Sequence, residues 1–213
     1  MCTLEQRGNL FLLILTGDNE HRLGPTLVYS IRSALAQVKS QATPGSALIT
    51  TAHDKFFSNG LDLPWAQAAG SSGFRDRLNH LVNNFKPIIA DLLSLPMPTI
   101  AAVSGHAAAA GFMLAISHDY VLMKNDRSVL YMSELDIGLT FADYFMAMLK
   151  SKLSDPAARR DVMLRAKKVK AKEAVRMGIV DSAHDSAEST VEAAVRLAES
   201  DASRSMWTAG IVL

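Results

Sequence analysis

Three segments of this 213-residue chain carry residue types at spacings that can do chemistry. The first is Lys55-Phe56-Phe57-Ser58-Asn59-Gly60-Leu61-Asp62-Leu63, which sets an Asn-Gly turn signal directly after an apolar run. As a plain turn it needs no further reason. As a site it bends the backbone so that an N–H near Leu61 faces a ligand. The second is Gly105-His106-Ala107-Ala108-Ala109-Ala110-Gly111-Phe112. Its small residues let a helix pack closely on a sheet, or let a ligand carbonyl approach a helix N-terminus, where free N–H groups favour negative charge. The third is Tyr131-Met132-Ser133-Glu134-Leu135-Asp136-Ile137-Gly138, with Glu134 among apolar neighbours. Glu134 reads as a solvated loop carboxylate, as part of local capping by Ser133 and Asp136, or as an acid–base group.

Other chemistries find less support. The histidines His21, His53, His80, His106, His118 and His184 form no HxxxH pattern, and the single cysteine, Cys2, has no pair, so no metal site is expected. No GxSxG elbow occurs. There is no GxGxxG, and Gly111 is followed by Phe112-Met113 and not by Lys-Ser/Thr, so a phosphate cradle is not expected. The formal net charge is +1 and the basic stretch from Lys150 to Lys172 reads as a solvated face, which argues against a nucleic-acid partner. Leu92 to His118 carries no Asp, Glu, Lys or Arg, but Pro96, Pro98, Ser104 and Gly105 break it, so it reads as a buried core crossing and not a membrane span. A lone cysteine at a terminus expected to fray excludes an internal disulfide and suits a reducing compartment. The first residues lack the layout of a signal peptide.

The elements that must position these segments follow from periodicity. Leu10–Leu15, Ala47–Thr51, Thr99–Val103, Tyr120–Met123 and Val129–Met132 read as strands. Pro25 opens a helix with Leu27, Ile31, Leu35 and Val38 on one face. A long helix is expected from about Phe74, with Leu78, Leu81, Phe85, Ile88 and Leu92 at helical spacing, and a short buried helix over Ala107–Ser117. From Phe141 onward the pattern turns helical: Phe141–Lys152, Pro156–Ala166, Ala171–Met177 and Ser186 to about Ser200, with a stub of strand at Gly178–Asp181. Strands alternating with helices predict an α/β fold with parallel pairing and right-handed crossovers. One domain spans 1–213, with a core over about 8–181, a helical C-terminal part over about 141–200 and a disordered tail at 201–213.

In that order the three segments resemble the crotonase superfamily, the enoyl-CoA hydratase/isomerase family. Phe57-Ser58-Asn59-Gly60-Leu61-Asp62-Leu63 resembles its first oxyanion-hole motif. The run from Leu95-Pro96-Met97-Pro98-Thr99 through Gly105-His106-Ala107 resembles the strand and turn leading into its second, and Ala174-Val175-Arg176-Met177-Gly178-Ile179-Val180-Asp181 resembles its AxxxGLVD signature. Within the family the chain is most similar to plant peroxisomal Δ3,Δ2-enoyl-CoA isomerases.

The resemblance implies a crotonase-like fold of repeated ββα and βα units with a C-terminal helical layer. It implies that the N–H groups of Leu61 and Ala110 hold a thioester oxyanion and that Glu134 is the catalytic base. Ser58, Asn59, Gly60, Leu61, Asp62, Leu63 and Ala110 are the implied substrate-binding set. Hydratases of the family use two glutamates; the position of the first is occupied by Phe112-Met113 here, and Met113 would help keep water out. The expected reaction is therefore conversion of 3-enoyl-CoA to trans-2-enoyl-CoA in fatty acid β-oxidation. Hydration, another acyl-CoA reaction, or acyl-CoA binding without catalysis remain as alternatives. No cofactor is implied, CoA being part of the substrate. The implied partners are an acyl-CoA thioester and further copies in a homotrimer. Relatives continue with further C-terminal helices, which Ala202-Ser203-Arg204-Ser205-Met206-Trp207 does not resemble, so trimer formation depends on whether the end of the chain permits it. The implied compartment is the peroxisome, although Ile211-Val212-Leu213 is not a Ser-Lys-Leu-type address; without one the cytoplasm is expected.

Overall fold

A computed structural model describes residues 1–202. The chain builds two sheets by a repeated step: a long strand in one sheet is followed by a short strand in the other. β1 (Cys2–Arg7) and β2 (Leu10–Leu15) form an antiparallel hairpin at one edge. α1 (Pro25–Gln41) then crosses to β3 (Ala47–Ala52), which hands over to short β4 (Phe56–Ser58). After α2 (Leu63–Gln67) and α3 (Gly70–Ser94) the step repeats with β5 (Thr99–Val103), β6 (His106–Ala108) and α4 (Ala110–Ile116). It repeats again with β7 (Tyr120–Lys124) and β8 (Val129–Tyr131). A 3-10 turn (Leu135–Ile137), α5 (Asp143–Lys152), α6 (Pro156–Leu164), β9 (Val169–Lys170), α7 (Ala171–Arg176), β10 (Ser182–His184) and α8 (Ala187–Ala202) complete the described chain.

The large sheet runs β1-β2-β3-β5-β7-β10 and the small one β4-β6-β8-β9. All pairs are parallel except β1 with β2 and β8 with β9. Strands of the large sheet read as continuous apolar runs because both faces are covered. One face packs on a core that includes Leu13, Leu15, Leu48, Val103 and the α1 and α3 stripes; α8 covers the other, with Ala193, Ala194 and Ala198 against Ile49, Ile100 and Leu122.

The sequence reading needs correction at several points. The N-terminal residues, expected to fray, form an edge strand. Ala107–Ser117 is not one helix. His106–Ala108 forms β6, because Ala107 and Ala108 pair with Leu130 and Tyr131, and that pairing outweighs the helix preference of an alanine run. α3 begins at Gly70, ahead of Phe74, and α5 begins at Asp143, after Phe141. The stub of strand lies at Ser182–His184, just past its expected place; Asp181 meets the sheet first, its N–H on Val121 O at 2.8 Å and its Oδ2 accepting from Val121 N at 2.7 Å. Leu92–His118 resolves into a helix end, two strands and a helix, and among the described residues no helix is long and apolar enough to cross a membrane. The expected disorder from 201 falls mostly on 203–213, outside the described residues.

Candidate active site

The first half of the site is the turn that ends β4. Ser58 Oγ donates to His21 O at 2.8 Å and accepts from Gly60 N at 3.3 Å, which tightens the turn. Gly60 sits at φ +79, and a Cβ there would lie 3.0 Å from Ala108 O and 3.1 Å from Ala109 Cβ. Only glycine allows the turn to approach the end of β6 this closely. Gly60 O accepts from Leu23 N at 2.8 Å, and Asp62 N donates to Leu23 O at 3.4 Å. Between these two bonded groups, the Leu61 N–H has no acceptor among the described residues.

The second half follows β6. Ala109 N donates to Tyr131 O at 2.8 Å and Ala109 O accepts from Met113 N at 3.0 Å, holding Ala109 at φ 49 and ψ −121. That conformation is costly for a residue with a Cβ. It turns the chain so that Ala110, the first residue of α4, also presents an N–H with no acceptor among the described residues. A Cβ on Gly111 would meet Ser58 O and lie 2.8 Å from Ser58 Cβ, so Gly111 clamps the two segments from the other side. Two unpaired N–H groups thus come from loops held together by two glycines.

The third part follows β8. Glu134 O accepts from Leu139 N at 2.8 Å and from Ile137 N at 3.3 Å, which closes the 3-10 turn by backbone alone. Its side chain makes no cap, and neither Ser133 nor Asp136 engages it, so the capping reading fails. Nor is it a solvated loop carboxylate: Glu134 is 8% exposed, and its Oε2 is buried with no hydrogen-bond partner. Burial among apolar groups disfavours the charge and pushes the carboxyl up to about 7.

These parts share one cavity of about 420 Å3. Of the residues the sequence singled out, Asn59, Leu61, Leu63, Ala110 and Glu134 line it. Ser58, Gly60 and Asp62 do not line it. Ser58 and Gly60 shape the turn, and Asp62 Oδ1 accepts from Trp65 N at 3.1 Å to cap α2. Met113 is 0% exposed and belongs to the core, away from the cavity wall, so it cannot keep water out there directly. The sequence reading missed the rest of the wall: Leu78 and Val82 on α3, Leu139, Phe141 and Ala142 on the connection to α5, and Phe145 on α5. Nothing in the sequence set these residues apart: Leu78 reads as one of the α3 core stripe, yet it and Val82 stay only half-buried while Leu81 and Phe85 are fully buried. Arg22 stands where this cavity borders a smaller hollow of about 250 Å3 with Asp18, Asp62 and Trp65. Among the described residues no group of three or more His, Cys, Asp or Glu is placed to hold a metal ion.

Such an arrangement suits a carbon acid. Two preorganised N–H groups can hold an oxygen as it gains charge, and a carboxyl poised near neutrality can take and return a proton.

The chain is 61% identical over 201 residues to an Arabidopsis thaliana protein named enoyl-CoA delta isomerase 2, peroxisomal, covering 93% of this chain and 84% of that one. It is 56% identical over 201 residues to enoyl-CoA delta isomerase 1, peroxisomal, of the same plant, covering 93% and 81%. Its fold matches the crystal structure of an enoyl-CoA hydratase from Mycobacterium marinum with a TM-score of 0.83 at 24% identity, over 94% of this chain and 84% of that one. The profile of the enoyl-CoA hydratase/isomerase family matches residues 19–209. With nearly the whole chain matched and the fold shared, this protein belongs to the enoyl-CoA hydratase/isomerase family.

Proposed function

We propose that the protein is an enoyl-CoA isomerase that converts 3-enoyl-CoA to trans-2-enoyl-CoA. One observation carries the reading: Glu134 is the only acidic side chain in the cavity wall among the described residues, and it is buried and poised to ionise near neutrality. The thioester oxygen sits between the N–H groups of Leu61 and Ala110. Glu134 removes a proton from C2, and the electron pair passes into the thioester as a dienolate whose oxygen those N–H groups hold. The protonated Glu134 then delivers the proton to C4, the double bond moves into conjugation, and the carboxylate is restored. Each N–H group in comparable sites contributes about 3 kcal/mol to the transition state. Half-buried Leu61 and Leu63 and the side chains of α3 and α5 supply an apolar path for the acyl chain. Relatives named as peroxisomal support action in that compartment on products of fatty acid oxidation, and assembly as a homotrimer is part of the same reading. The test is ultraviolet absorbance of the conjugated product from a cis-3-enoyl-CoA, with Glu134→Gln as control. Turnover by the parent protein alone supports the reading, whereas an equal rate from Glu134→Gln rules out the assigned base.

A further inference from the structure

One stretch of the cavity wall is mostly apolar, and an aromatic side chain in it is braced from behind. The groups assigned to chemistry come from the ends of β4, β6 and β8, whereas α3, the connection after the 3-10 turn and α5 contribute the apolar side chains Leu78, Val82, Leu139, Phe141, Ala142 and Phe145, with Asn79 and Thr140 among them. Val82 follows Leu78 by one turn of α3, about 6 Å at ~1.5 Å per residue, and both line the cavity. One further turn along the same face is Phe85, fully buried and no longer part of the wall. Phe145 meets it there: 4% exposed, it packs edge-on against the Phe85 ring with centroids 6.1 Å apart while still facing the cavity. The Tyr144 ring packs edge-on against Phe145 at 4.8 Å, and its hydroxyl donates to Val82 O at 2.9 Å. That bond ties the first turn of α5 to α3 at the level where the lining ends.

We infer, resting on the acyl-CoA reading above, that Phe145 is the stop against which the acyl tail ends, and that it makes the protein selective for short 3-enoyl chains. A longer chain has to displace a ring held on one side by Phe85 and on another by Tyr144. The cavity volume of about 420 Å3 lies in the lower part of the ~300–1,000 Å3 range of small-molecule sites, and it must accommodate the thioester head as well as the tail. Ala142, one turn before Phe145 on the same wall, leaves the space that a short tail fills. Exposed Ile137 lies on the 3-10 turn after Glu134, at the solvent side of the cavity, and so does not set its depth.

The experiment compares cis-3-hexenoyl-CoA with cis-3-dodecenoyl-CoA by kcat/KM, and hexanoyl-CoA with dodecanoyl-CoA by calorimetric Kd. The parent protein favours the six-carbon chain in both. Phe145→Ala shifts the ratio toward twelve carbons by about tenfold or more, as a change of a few methylenes in an apolar pocket does. Phe145→Leu, a milder truncation that keeps the contact with Phe85, shifts it the same way by less, and Ala142→Phe shifts it toward six carbons. Circular dichroism and the thermal midpoint identify the variants that are folded. Ratios that stay at the parent value in folded Phe145→Leu and Ala142→Phe overturn the stop. Binding separates this inference from the reaction: a protein without turnover whose Kd ratios still move as described refutes the isomerase and supports the stop.

Discussion

Replacing Glu134 by glutamine should sharply reduce turnover and remove a pH dependence from the protein's stability. The carboxyl ionises at about 7 in the folded protein against 4.5 in an exposed chain. Between those values the folded state holds a proton that the unfolded chain has released, so stability falls as pH rises across the window and stays lowered above it. At about 1.4 kcal/mol per pH unit the gap amounts to about 3 kcal/mol in full, and to about 2.5 kcal/mol between pH 5 and pH 8. Glutamine occupies the same space without ionising, and its own cost, an amide without a partner at about 1–3 kcal/mol, is the same at both pH values. The quantity to measure is therefore the change with pH in the stability difference between the two proteins, from urea unfolding at pH 5 and pH 8. For a chain of this length that change corresponds to roughly 5–10 °C in thermal midpoint. The isomerase rate should fall by at least about 100-fold in the same variant. A stability difference that does not move between pH 5 and pH 8 would mean that the carboxyl ionises in the ordinary range, and the argument from its burial would fail.

Other perturbations test other parts of the site. Because the base must be ionised, kcat/KM of the parent protein should rise with pH through about 7 and level off above it; a profile flat from pH 5.5 to 8.5 would contradict the burial-raised carboxyl. Gly60→Ala puts a Cβ 3.0 Å from Ala108 O and 3.4 Å from Ala110 N at a positive φ, so the two N–H groups should separate, with a rate loss on the order of 100-fold and about 1–3 kcal/mol of stability lost; unchanged kinetics in a folded variant would refute the close approach. Ala109→Gly removes the Cβ from φ 49, ψ −121 and should raise the urea midpoint by the equivalent of about 1 kcal/mol, less the small entropy cost of glycine in the unfolded chain. A lowered midpoint would show that Ala109 is not strained.

What was legible in the sequence, and what was not, divides along physical lines. β2, α1, β3 and β5 were readable because long apolar runs or a helical stripe opened by proline depend on local order alone. β6 was misread because the same alanines that favour a helix are held in strand by neighbours far away in the chain. The positions of Leu61, Ala110 and Glu134 were identified through a family pattern, and by residue type alone Glu134 had two readings that its burial excludes. Around Gly60 the motif was read as all ligand-facing, but the Ser58 and Asp62 side chains are engaged in shaping the turn and capping α2, while Asn59 lines the cavity. The far wall could not be read at all, since Val82 and Phe145 join one wall only when α5 folds back onto α3.

The choice of reaction follows from how few acidic groups reach the cavity: among the described residues Glu134 alone lines it. The position after Gly111 that would carry a second carboxylate is filled by Phe112 and Met113, both fully buried in the core. Adding water across a double bond requires one group to orient and deprotonate the water while another handles the α-carbon proton, and Glu134 alone cannot do both at once. Moving a double bond needs a group that binds a proton and releases it again within one turnover. A carboxyl of ordinary acidity is a weak base toward a thioester α-proton; one held near neutrality by burial takes the proton more readily and still returns it to a dienolate. The same burial that raises the pKa of Glu134 leaves its Oε2 without a hydrogen-bond partner among the described residues. An unpartnered carboxylate oxygen and two unpartnered N–H groups on residues of one cavity wall are the complement of a substrate with an acidic C–H next to a carbonyl, and that complementarity fits the site to the transposition.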